Sequence, residues 1–102
     1  MESRNSRRPV MLVESADDPE IYRAIFDTIE NQIRVHDPAE TALSLQRLMA
    51  AGESRDNALR YIACALSVEF FEILENEGAF DTARYVSNLR ALPALPYNES
   101  EI

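Results

Sequence analysis

The stretch from Arg55 to Glu77 places apolar residues on two opposite sides of any helix it forms, and few folds can bury such a helix. One stripe holds Leu59, Ile62, Ala63, Leu66, Phe70, Ile73 and Leu74, and a second, centred on nearly the opposite side, holds Tyr61, Cys64, Val68 and Phe71. A helix apolar on two faces is normally covered on both. It must therefore run through the centre of a helical domain or offer its second stripe to another molecule. Ser54 is placed to cap its first turn and Gly78 to close its last, which makes it roughly 35 Å long at 1.5 Å per residue.

Three shorter helices surround this one in the chain. Asp18-Pro19-Glu20 opens the first, with Asp18 as cap, Pro19 at a position that needs no amide, and Glu20 at the positive helix end. It should run to about Val35, with Ile21, Ile25, Ile29, Ile33, Tyr22 and Phe26 within an arc of roughly 140°. Gln32 falls inside that arc and needs a buried partner or a place at its edge. Asp37-Pro38-Ala39-Glu40 repeats the opening with the spacing of a capping box, and Ala42, Leu45, Leu48 and Met49 form the expected core side of the second helix. Gly52 is its left-handed stop. Phe80 can staple onto Tyr85 around the cap Asp81, starting a fourth helix (Tyr85, Val86, Leu89, Leu92) that ends at Pro93. Short connections make neighbouring helices antiparallel. The spacing thus predicts an all-α, four-helix bundle-like domain over residues 1–102, with an extended basic arm (1–16), a helical core (17–92) and a loosely held, proline-containing tail (93–102).

Charge and composition narrow the function. Eighteen acidic against ten basic residues leave a formal charge of −8, which opposes the phosphate backbone, so nucleic acid is not an expected partner. The turn before Ser54 has the look of a helix-turn-helix connection, but Glu53 and Asp56 stand where base contacts are normally made. All ten basic residues are arginine, which excludes a lysine Schiff base and a P-loop lysine. No apolar run is long enough for a membrane span or signal peptide, and Cys64 is the one cysteine, so the expected home is the reducing cytoplasm.

Few chemical groups remain. His36, the single histidine, lies beside Asp37 at the end of the first helix, where the helix dipole favours a protonatable side chain; the two supply at most two of the three or four ligands a metal needs. Cys64 sits among apolar neighbours in mid-helix, where thiols are usually inert. Glu69, Glu72, Glu75 and Glu77 crowd the last turns of the third helix against its dipole, reading as a solvated acidic face or as a place for a divalent cation, another molecule's arginine, or Arg4, Arg7 and Arg8 of the arm.

Ile29-Glu30-Asn31-Gln32-Ile33, Asp37-Pro38, Ala58-Leu59, Glu69-Phe70-Phe71-Glu72-Ile73-Leu74 and Phe80-Asp81-Thr82-Ala83-Arg84-Tyr85 are the words by which residues 21–93 resemble a family of small bacterial helical proteins, a domain of unknown function. Its members often carry histidines four apart on the first helix and again at the start of the third, which implies a metal or proton-transfer site. Here Tyr22 and Phe26, and Asp56 and Arg60, stand at those places, so the resemblance implies a lost constellation. Glu30, Gln32, Asp56 and Arg60 remain near it as a candidate polar binding site, although Asp56 and Arg60 are also an ordinary i, i+4 pair.

The resulting expectation is a protein-protein interaction or regulatory module without catalytic residues, metal or cofactor. It would be homodimeric through Tyr61, Cys64, Val68 and Phe71, unless Val10–Val13 of the arm or Leu95 and Tyr97 of the tail fold back over the same stripe in a monomer, and independent of membranes. The alternative is a metal-assisted or acid/base enzyme built on Glu30, Asp56 and Arg60, or a degenerate member of a metal-binding family.

Overall fold

A computed structural model describes residues 19–97. Four helices make up the fold: α1 (Pro19–Val35), α2 (Ala39–Ala50), α3 (Arg55–Glu75) and α4 (Thr82–Ala91). Both α2 and α3 pack against all three other helices, whereas α1 and α4 have no close backbone contact and meet through side chains. Thr41, Ser44 and Arg47 of α2 bond to Tyr85, Leu89 and Leu92 in turn, so α2 and α4 run in the same sense, as alternating helices in a bundle do. No helix among the described residues is long and apolar enough to cross a membrane.

The first helix buries Ile25 and Ile29, with Ile21, Tyr22, Phe26 and Ile33 half-buried around them, as its periodicity predicts. Asp18, the expected cap, and the arm lie outside the described residues. At its end His36 adopts a left-handed conformation (φ 58°), and the amides of Asp37 and His36 bond back to the carbonyls of Gln32 and Ile33. This ending alters the start of α2. Asp37 does not cap that helix: the N-cap is Pro38, which provides no side-chain bond, and the Asp37 backbone is already committed to closing α1. The capping box is absent, and Glu40 instead reaches Arg90 of α4 at 2.8 Å. Thr41 and Ser44 join Ala42, Leu45 and Leu48 on the inner side, while Met49, on the last turn, is exposed rather than in the core.

Gly52 stops α2 as expected. Its φ of 111° is unfavourable for any residue with a Cβ, and the amides of Gly52 and Glu53 bond to Met49 and Leu48. Ser54 Oγ then accepts from the Asn57 amide at 3.0 Å, capping α3. From Ile62 to Ser67 every residue of α3 is buried, so these middle turns run through the centre of the molecule. Cys64 is fully enclosed and is not part of an exposed stripe; Tyr61, Val68 and Phe71 are half-buried.

The last turns differ from expectation. Ile73 (44 % exposed) and Leu74 (50 %) belong to the predicted core face but stand in solvent, because the covering helices do not extend that far. The helix ends at Glu75, and the left-handed residue is Glu77 (φ 56°) rather than Gly78. Gly78 answers a different need: its amide bonds to the Glu72 carbonyl at 2.7 Å, and a Cβ there would press on the Glu72 carboxylate at 3.3 Å.

Asp81 caps α4 through the Arg84 amide at 3.0 Å, and Phe80 packs edge-on to Tyr85 with ring centroids 5.7 Å apart, the predicted staple. Leu92 is buried before Pro93. The tail begins held rather than loose, since Leu95 and Tyr97 pack against the core.

Candidate functional site

The four polar candidates separate into three environments. Asp56 and Arg60, one turn apart on α3, come together with Tyr22, Phe26 and Leu59 around a cleft of about 240 Å³ between α1 and α3. The Arg60 guanidinium donates to the Tyr22 hydroxyl and lies 5.8 Å from the centre of its ring, a cation-π distance. The Tyr22 and Phe26 rings are tilted against each other at 5.0 Å, giving the cleft an aromatic wall. Its chemistry is one carboxylate, one guanidinium held by a phenol, and two apolar side chains, Phe26 and Leu59.

Glu30 turns away from this cleft. Both its carboxylate oxygens accept from Arg55, at 3.1 and 3.2 Å, and that bond and charge push the Arg55 guanidinium still further up from its ordinary value. It lines a separate shallow groove with Asp27, Asn31, Ile33 and Arg34. An acid/base site needing Glu30, Asp56 and Arg60 in one place thus has two of its three members together.

Gln32 faces inward. Its Oε1 accepts from Thr41 Oγ1 at 2.8 Å and from the Tyr85 hydroxyl at 2.7 Å, with the two hydroxyls 3.4 Å apart. Burial pushes the Tyr85 phenol up to about 12, against the opposing pull of its bonds with Thr41 and Gln32. This is the buried partner that the helical arc demanded, and it ties α1, α2 and α4 together.

A second buried polar group was hidden among the acidic residues of α3. Glu69 is fully buried, so it is not part of a solvated face, and its carboxylate accepts from Arg84 Nε (2.7 Å), Arg84 Nη2 (2.9 Å) and the Asp81 amide (2.8 Å). The bond to Glu69 raises the Arg84 guanidinium. The available signal was helical spacing, since Glu69 lies between Ala58 and Ile62 around the helix. Arg47, on the exposed side of α2, donates to the carbonyls of Leu89 (3.0 Å) and Leu92 (2.6 Å), satisfying the end of α4. His36 is exposed at the end of α1.

Among the described residues no three of His, Cys, Asp and Glu are grouped so as to hold a metal ion. Comparison with family models, with curated proteins and with solved structures finds no match for the chain.

Proposed function

We propose that this chain is a small cytoplasmic interaction module that acts without catalysis, its first partner being a second copy of itself. The observation that carries this reading is the apolar end of α3, where Ile73 and Leu74 stand 44 % and 50 % exposed with Phe80, 42 % exposed, on the returning loop. Large apolar side chains gathered at one end of a small domain are the usual mark of an association surface. Val68 and Phe71, half-buried, and Leu74 follow one another at three-residue spacing and extend that end along the outer flank of α3. Two such flanks pack antiparallel about a two-fold axis, because the same patch then faces itself. With the axis at Phe71, the two Phe71 rings face each other and Val68 of one copy meets Leu74 of the other. Light scattering of the full chain at tens of micromolar should give a dimer, and Leu74→Arg should give a monomer with an unchanged circular dichroism spectrum. Leu74 is half-exposed, so the arginine has water to reach in a folded monomer. A monomeric wild-type protein would overturn the dimer.

A further inference from the structure

The cleft between α1 and α3 lies where residues 1–18 join the fold. Pro19, the first residue of α1, precedes Tyr22 by three positions and so shares its face of the helix. Phe26, at the far wall, is about 10 Å from Pro19 along the helix axis. The segment before α1 contains one apolar run, Val10-Met11-Leu12-Val13, separated from Pro19 by the polar stretch Glu14–Asp18. Six residue steps from Val13 to Pro19 span at most about 20 Å, so the run reaches the cleft with slack. The exposed apolar end of α3 is a poorer target, since Ile73 lies about 20 Å beyond Arg60 along that helix. Size agrees as well. A dry cavity of roughly 150 Å³ admits a benzene-sized group, and the cleft of about 240 Å³ suits one or two aliphatic side chains. Its walls are the apolar parts of Tyr22, Phe26 and Leu59, and Asp56 on the rim offers a carboxylate to Arg7 and Arg8 just upstream of the run.

We propose that the Val10–Val13 run docks in the cleft lined by Tyr22, Phe26 and Leu59 of its own chain. The inference does not depend on the dimer. It is tested on the full chain by nuclear Overhauser contacts between the methyl groups of Met11 and Leu12 and the rings of Tyr22 and Phe26. These contacts are expected in a uniformly labelled sample. They should vanish in an isotope-filtered mixture of labelled and unlabelled chains, which records only contacts between copies. Leu12→Asp should abolish them and shift the Phe26 ring and Leu59 methyl signals while leaving Phe80 unmoved. Contacts that persist in the mixed sample would assign the cleft to a second copy. Contacts to Ile73, Leu74 or Phe80, no contacts at all, or an unmoved Phe26 ring in Leu12→Asp would each overturn the proposal.

Discussion

The amide oxygen of Gln32 receives hydrogen bonds from two hydroxyls in a region where Thr41 and Tyr85 are fully buried. A buried neutral network of this kind is worth little net when complete and costs most when one member is left unpaired. Tyr85→Phe removes one donor but leaves Thr41 on the same oxygen, so it should cost about 1–2 kcal/mol in urea unfolding at neutral pH. The phenol also sets a pH limit. Folding raises it from 10.0 to about 12, so the folded state holds its proton where the unfolded chain has lost it. The contribution is whole below pH 10 and disappears between pH 10 and pH 12, amounting to roughly 3 kcal/mol at most. Unfolding curves across that window should show this loss in the wild type and not in Tyr85→Phe. Two other positions bear a backbone cost, since His36 and Glu77 occupy the left-handed region without being glycine. Glu77→Gly should stabilise the protein by about 1 kcal/mol, and it also withdraws a negative charge from a helix C-terminus. A lowered melting temperature for that variant would contradict the assignment.

At the level of elements, α3 is two things in sequence: six consecutive buried residues in its middle and an uncovered last turn. Leu66→Ala should therefore cost about 2–5 kcal/mol and Leu74→Ala less than about 0.5 kcal/mol, measured as monomer unfolding. Helical periodicity could not separate these two leucines, because it shows which side faces inward and not how far the neighbouring helices extend. The pair Glu69–Arg84 predicts another inequality. Arg84→Met strands a carboxylate that is fully buried, whereas Glu69→Met leaves a guanidinium able to turn to water, so the first substitution should lower the urea midpoint more than the second. Local signals were legible: Gly52, Ser54, Phe80 and Asp81 act within a few residues of themselves and stand as their spacing implies. Asp37 misled because two helix ends compete for three linking residues. The polar candidates misled because a face of one helix does not reveal its partner, and Glu30 found Arg55 on α3 rather than Asp56 or Arg60.

Taken as a whole molecule, the chain carries −8, so two copies repel at long range even where their apolar seam fits. If the antiparallel dimer is held chiefly by its apolar flank, added salt should tighten it by screening that repulsion, and light scattering at low and moderate ionic strength should show the dimer fraction rising. A falling fraction would mean that attraction between opposite charges, rather than the apolar flank, holds the copies together. The four-helix architecture could be read from periodicity, since the apolar spacing of each helix marks its existence and its inner side over most of its length. The order in which helices touch could not, because it depends on pairings such as Gln32 with Tyr85 that join residues far apart in the chain. Enclosure of Cys64 gives this architecture a chemical clock. A thiol reagent reaches that sulfur only when α3 parts from its neighbours, so the labelling rate, followed against denaturant, reports how often the centre of the molecule opens and whether it does so before the rest unfolds.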